Sequence, residues 1–312
     1  MRSPRFFGSV PQGLEDLLMN KLNELAPRNK RPLDLYFDFA IPQVGVESFK
    51  VLVLLEPPSV MPENYTAKAL KPFDLVIPLS PWRAKMMGLP FFAFQPVEVP
   101  NTVLNREIKK SRLVFINALK FGSVSSSLYG WRLDVLRKLQ KAGLSVDVYG
   151  PNWDMSLIME FRKRLSATRR ALSNEEFDLV EAWKGFCFRP VGILGETSNK
   201  FETISRYRFA LIIENDKNSL TEKLFDALFS SAIVFYRGPK LQAHTILGRY
   251  CYELPEDADL AVQMIQTIIE LPETETLHRH VTDLKVKDLA MPFSLENTSI
   301  SLATAIAASL NS

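Results

Sequence analysis

The residues whose types and spacing bear most directly on chemistry are Glu214-Asn215 and, a short loop later, Thr221-Glu222-Lys223. An apolar run, Arg208–Glu214, reads as a strand that delivers the carboxylate and the amide to its carboxyl end. The polar loop Asp216–Leu220 then turns into a helix expected over Thr221–Phe229. Thr221 is the expected N-cap, because its hydroxyl can accept from a free amide of the first helical turn. Free amides and the dipole at that end attract phosphate, and Lys223 adds a point charge beside them. Glu222 can accept sugar or ribose hydroxyls, so the stretch suits a nucleotide-activated sugar. By residue type alone, ordinary capping of the kind found in any α/β protein explains the stretch better.

The elements that must position these groups alternate between short apolar runs and segments of helical period, the signature of an α/β chain with parallel sheets. A helix is expected near Leu14–Leu25, with strands near Leu33–Phe39, Lys50–Leu55 and Phe73–Pro78. Two prolines and a charged run within Pro96–Ser111 mark a boundary, giving domains over 1–105 and 106–312. The second series has strands at Leu113–Asn117, Ser145–Tyr149, Arg208–Glu214 and Ala232–Tyr236. Its helices lie at Trp131–Ala142, Thr221–Phe229 and Asp257–Leu271, with a weaker tail helix at Ser294–Leu310. Two open α/β domains place a ligand cleft between the carboxyl ends of their strands.

Composition narrows the class. The chain has 312 residues, 46% hydrophobic and 23% charged, the balance of a globular protein with sizeable cores. A net charge of +3 is too small to argue for nucleic acid. No apolar run approaches the ~20 residues of a membrane span, and Met1–Val10 lacks the apolar core of a signal peptide. A soluble, cytoplasmic protein is the expectation. Cys187 and Cys251 read as buried free thiols, since two cysteines make no disulfide framework. Three histidines, His244, His278 and His280, without metal-site spacing argue against a zinc centre. Asp257-Ala-Asp259 has the spacing of a metal-binding pair but opens an amphipathic helix, where two aspartates complement the dipole; no obligatory metal or cofactor is expected. The basic stretch Phe161–Arg170 falls on a helix with Leu157, Ile158, Phe161 and Leu165 as its apolar side. It reads as a solvated face, with peripheral contact to acidic lipid at the inner face of the membrane as the other reading.

The segment from Tyr207 to Pro239 resembles the donor-binding signature of the α-1,3/4-fucosyltransferases, the family-ten glycosyltransferases, in the soluble bacterial type. The matching positions are Tyr207, Phe209, Glu214, Asn215, Thr221, Glu222, Lys223, Asp226, Ala227, Tyr236, Gly238 and Pro239. Upstream, Phe115–Asn117, Arg132–Leu139 and Val146–Gly150 resemble the opening of that family's donor domain, and Leu54-Leu-Glu-Pro-Pro-Ser59 resembles its Glu-Pro-Pro element. The likeness runs from Val51 to about Leu271. Three departures stand out: Asn218-Ser219-Leu220 replaces the usual Gly-Tyr-Val in a loop about two residues shorter, Arg237 replaces a tryptophan, and the residue between Gly238 and Pro239 is missing.

The resemblance implies a GT-B-like fold, two facing Rossmann-like domains with an interdomain cleft. It implies inverting transfer of fucose from GDP-fucose to a hydroxyl of an oligosaccharide or glycoconjugate acceptor. Glu56 would be the catalytic base in an acceptor-binding domain over 1–105. Arg132, Glu214, Asn215, Thr221, Glu222 and Lys223 would hold the donor in a domain over 106–312, with Arg132 reaching its phosphates. A different activated sugar, or a nucleotide-sugar-binding protein without catalysis, are the alternatives.

Overall fold

The computed structural model describes residues 4–26, 31–38, 41–42, 47–98, 110–241, 247–272 and 288–311. The first domain begins β1 (Arg5–Gly8), α1 (Leu14–Leu25), β2 (Leu33–Phe37) and β3 (Phe49–Val53). It continues with α2 (Ala67–Leu70), β4 (Leu75–Ile77) and α3 (Pro81–Met86). The four strands form one parallel sheet in the order β1-β2-β3-β4. Leu35 pairs with Val51 and Val51 with Leu75, so one face presents a continuous apolar row. Leu14, Leu18 and Leu22, spaced four apart on α1, cover that face. Tyr36, Leu52, Leu54 and Phe73 fill the other. A sheet buried on both sides explains why β2 and β3 read as unbroken apolar runs. Asp34 is the exception on β2: it takes two 2.7 Å bonds from the Arg5 guanidinium and a third, also 2.7 Å, from the Ser48 hydroxyl. That fork clips β1, a strand absent from the sequence reading, to the sheet edge.

The second domain opens with β5 (Lys110–Ile116), α4 (Tyr129–Lys141), β6 (Val146–Tyr149), α5 (Leu157–Ala171), α6 (Leu179–Trp183) and α7 (Lys200–Ser205). Then come β7 (Tyr207–Ile213), α8 (Glu222–Phe229), β8 (Ile233–Arg237), β9 (Cys251–Glu253) and α9 (Ala258–Glu270). Its sheet is parallel throughout, in the order β6-β5-β7-β8-β9. Along β7, Phe209, Leu211 and Ile213 pack under α4 and α9, while Ala210 and Ile212 pack under α8. The chain leaves β5 toward β6 and returns on the other side of β5 as β7. That reversal opens a crevice at the carboxyl ends of β5 and β7, where open α/β sheets bind ligands.

Three expectations change. The tail helix, α10 (Leu295–Asn311), was expected in the domain over 106–312, but its Leu302, Ala303, Ala305 and Ile306 are buried in the first domain's core against α1. The apolar side of α1 and the sheet would otherwise face water, and α10 covers it. Cys251 is buried as expected, whereas Cys187 is exposed, in a turn where its own φ is +64°. The helix over Leu157–Ala171 forms, but the side it buries is not the apolar one: Glu160, Arg164, Ala167 and Ala171 face inward. The 105/106 boundary and His244, His278 and His280 lie outside the described residues. Among the described residues, no helix is long and apolar enough to cross a membrane.

Candidate functional site

A cavity of about 270 Å³ lies at this crevice, with Glu56 and Gln95 of the first domain on its far side. The second domain contributes Asn117 and Lys120 after β5, Gly150 and Pro151 after β6, and Asn215 after β7. Gly150 is required there: its φ is +127°, and a Cβ would sit 2.4 Å from the Asn117 carbonyl oxygen.

Glu56 enters from the first domain, at the carboxyl end of β3. Its backbone is held from two sides. The Asp38 carboxylate, at the end of the neighbouring strand β2, accepts from the Leu55 and Glu56 amides at 2.8 and 3.0 Å. The Tyr65 hydroxyl, partly buried, donates to the Glu56 carbonyl at 2.7 Å. Burial pushes the Glu56 carboxyl above its ordinary value, and the negative charge of Asp38 adds to this; Lys120 and Lys223 oppose it. A carboxyl with its backbone fixed, its proton affinity raised and its side chain at a cavity wall is suited to taking a proton from a hydroxyl.

On the opposite wall the helix start of α8 behaves differently from the expectation. Thr221 occupies the N-cap position but makes no cap bond. Its hydroxyl instead donates to Glu214 Oε2 at 2.6 Å and its amide to Glu214 Oε1 at 3.1 Å. Glu214 is fully buried, and Lys223 Nζ lies 3.5 Å from the same carboxylate. The carboxylate at the strand end thus replaces the hydroxyl as the organiser of the turn. Gly238 makes room for it, since a Cβ there would lie 2.7 Å from Glu214 Cγ. Glu214 and Thr221 are therefore brought together behind the cavity wall, while Asn215, Glu222 and Lys223 line it.

Lys200, at the start of α7, lies 3.5 Å from Glu222 and 3.7 Å from Asp226. Burial works against ionisation of Glu222, but Lys223 and Lys200 overcome it and hold the group below its ordinary value. Asp226, deeper and less well paired, is pushed up to about 7 by burial. Arg132 lines the cavity but is itself buried; Nη2 donates to the Ile213 and Glu214 carbonyls at 2.9 and 3.2 Å and to Asn215 Oδ1 at 3.3 Å. Burial lowers its guanidinium to about 10, which leaves it charged at neutral pH. It braces the end of β7, and its buried Nε has no protein partner.

The loop 216–220 is spent on joining the domains. Arg83 of α3, itself buried, donates to both Asp216 oxygens at 3.1 and 3.2 Å and to Glu176 at 2.6 Å. Ser126 donates to Asp216 at 2.6 Å, and the Ser80 hydroxyl donates to the Asn218 carbonyl at 2.7 Å. Burial opposes the charge on Arg83, yet Asp216 and Glu176 more than offset it and raise the guanidinium above its ordinary value. The shortened loop has become a bolt between domains.

Of the residues singled out in the sequence, Glu56, Arg132, Asn215, Glu222 and Lys223 converge on one cavity from both domains. Sequence reasoning passed over Lys120, Lys200 and Asp38. Asp38 was findable, because it ends the strand beside the one that ends in Glu56. Lys120 sits in a loop and Lys200 opens the short helix α7, and the path of both depends on the crossovers. Asp257 caps α9 through the Asp259 and Leu260 amides, and Asp259 pairs with Lys138, so both sides of the Asp-x-Asp are occupied by the helix and its neighbour.

No protein-family model and no curated protein matches the chain. Solved structures do resemble it. An α,α-trehalose-phosphate synthase (UDP-forming) from Burkholderia vietnamiensis matches at a TM-score of 0.50 and 13% identity, over 96% of this chain and 79% of that one. A GtfA/B complex matches at 0.50 and 12% identity, over 93% of this chain; the chain spans only 60% of its length. An α1,3-fucosyltransferase matches at 0.41 and 11% identity, over 96% and 79%, a likeness too loose to bear on the donor. At these identities the comparisons establish the architecture: the chain has the GT-B glycosyltransferase fold, two parallel-sheet α/β domains with a cleft between them.

Proposed function

We propose that the chain transfers a sugar, with inversion, from a nucleoside diphosphate to a hydroxyl of a glycan acceptor, and that GDP-fucose is the donor. The observation that carries this reading is Glu56 in the same cavity as the helix start at Glu222-Lys223, each from a different domain. The donor lies along the β5/β7 crevice, its diphosphate near Lys223 and the first amides of α8. Glu222 accepts from its hydroxyls, and the Asn215 side-chain amide, its oxygen held by Arg132, donates to them. An acceptor hydroxyl on the first-domain side attacks the anomeric carbon. As that C–O bond forms, Glu56 takes the hydroxyl proton and the bond to the diphosphate oxygen breaks, with its electrons passing to the leaving group. Lys223 and the helix N-terminus stabilise the negative charge that develops there. The choice of GDP-fucose rests on the resemblance of the Tyr207–Pro239 segment. A donor other than GDP-fucose is the second reading, because loop 216–220 offers no aromatic to the ligand and is committed to Arg83 and Ser80.

Thermal shift against GDP, UDP, CMP and ADP tests the donor. The matching nucleotide at about a hundred times its Kd should stabilise the fold by ~2.7 kcal/mol and the others by much less. Equal shifts, or a UDP preference, would reassign the donor. Slow release of the nucleotide from the donor without acceptor separates an enzyme from a binding protein. Lys223→Ala should weaken GDP binding by ~1.5–3 kcal/mol, the worth of a charge-assisted bond; unchanged affinity by calorimetry would remove Lys223 from the donor site.

The reading also makes transfer independent of added metal, because Lys223 and the helix start supply the positive charge. Full activity is expected in excess EDTA. Asp259→Asn should be nearly neutral, since its pairing with Lys138 is at the surface and screened by water. Loss of transfer with EDTA and its recovery with manganese would contradict this.

A further inference from the structure

The helix α5 is built inside out. Its buried side carries an ion pair: Glu160 and Arg164 are 0% and 1% exposed, and Arg164 Nε donates to Glu160 Oε1 at 2.8 Å. Arg189 adds a second bond to Glu160 at 2.8 Å, and Arg164 Nη1 donates to the Ala182 and Lys184 carbonyls at 2.7 and 3.2 Å, at the end of α6. With its charges committed inward, the helix turns its apolar side chains out. Ile158 is 67% exposed and Phe161 47%. Phe161 meets Trp183 at a tilt, 5.4 Å between ring centroids, and Trp183 meets Phe186 edge-on at 5.7 Å, so the aromatic row continues from α5 past the end of α6. Val180, one helical turn before Trp183, is 79% exposed. Leu157, Ile158, Met159 and Phe161 thus stand exposed within one and a half turns of α5, and a cluster of exposed apolar side chains of this kind marks a contact surface.

The charge around the patch identifies the occupant. The helix carries five cations and one carboxylate, in a chain whose whole net charge is only +3, and the single carboxylate is the buried Glu160. Arg162 and Arg169 lie together along one edge of the outward stripe on the helix wheel and have no hydrogen-bond or ion-pair partner among the described residues. Apolar and aromatic side chains bordered by unpaired arginines match the interface of an anionic bilayer: rings and aliphatic groups enter at headgroup level while the guanidinium groups meet lipid phosphates. The opposite end of the helix is tied to the first domain, where Arg170 donates to the Val60 carbonyl at 3.2 Å, so the patch is held rigidly.

We propose that α5, with the Trp183–Phe186 turn, docks the protein peripherally on anionic lipid. This goes beyond the proposed transfer reaction and does not depend on it. Co-sedimentation with vesicles of phosphatidylcholine alone, or of phosphatidylcholine with phosphatidylglycerol, tests it. The wild-type chain should pellet with the anionic vesicles only, and less at high salt. Ile158→Asp with Val180→Asp should reduce that binding by roughly tenfold or more, as should Arg162→Glu with Arg169→Glu. All four positions are at the surface, so both double variants should keep the wild-type melting temperature and circular dichroism. Wild-type protein that stays in the supernatant with anionic vesicles, or folded variants that pellet as well as wild type, would overturn the proposal. So would analytical ultracentrifugation showing a dimer that Ile158→Asp dissociates, which would make a second copy the occupant.

Discussion

Glu56→Gln is expected to lower sugar transfer by ~10²–10⁴, the usual worth of a general base, while melting and nucleotide binding stay near wild type. Glutamine keeps the shape, and the groups that fix this position act on the backbone: the Asp38 carboxylate on the amide and the Tyr65 hydroxyl on the carbonyl. The substitution therefore separates chemistry from folding. Because burial and Asp38 raise the Glu56 carboxyl, the acid limb of kcat/KM should fall above the ordinary carboxylate range, and that limb should vanish from the residual activity of the variant. Glu63, outside the cavity and 3.7 Å from Arg170, is the control; Glu63→Gln should cost little. Transfer by Glu56→Gln within a few-fold of wild type would place the base elsewhere.

Arg83→Met should destabilise the protein by ~3–5 kcal/mol in denaturant unfolding, because it strands Asp216 without its cation in a site from which water is excluded. Adding Asp216→Asn should recover much of the loss, since the stranded charge is then gone. The deficit carries a pH signature. Burial already raises Asp216, and removing Arg83 deletes the largest opposing charge. The folded variant then holds a proton on Asp216 to higher pH than the unfolded chain does, so its stability falls as pH rises through that raised value. The gap to wild type should be smaller near pH 5 than near pH 8. A loss under ~1 kcal/mol, or one independent of pH, would mean the domains are not bolted through this pair.

Much of the architecture was legible because its signals are local. The helix over Leu14–Leu25 coincides with its expected bounds, and β5 to β8 lie within a few residues of theirs, since fully buried parallel strands leave unbroken apolar runs. The short β1 and β9 left no such run. The candidate site was legible where its residues end strands, as Glu56 and Asn215 do, because strand ends in open sheets converge on the crevice. Thr221 was misjudged for a reason that lies in the third dimension: an N-cap threonine and one that donates to a buried glutamate look alike in sequence. The same holds for α5. Glu160 and Arg164, four apart, carry no mark in the sequence of the Ala182 and Lys184 carbonyls and of Arg189, which together make their burial possible.

The return of α10 to the first domain has a consequence for the order of events on the ribosome. Every described strand and helix of the second domain's sheet and its covering layers falls between Lys110 and Glu270, with no first-domain element among them, so they emerge in one stretch. The first domain lacks that convenience. Its last strand ends at Ile77, but the helix that seals its core supplies Leu302 and Ile306. At about 5–20 residues per second, the wait between them is roughly 10–50 s. For that interval the half-built sheet and α1 carry an uncovered apolar face, while a complete domain takes shape downstream of them. The part of the chain made first is the last to be finished.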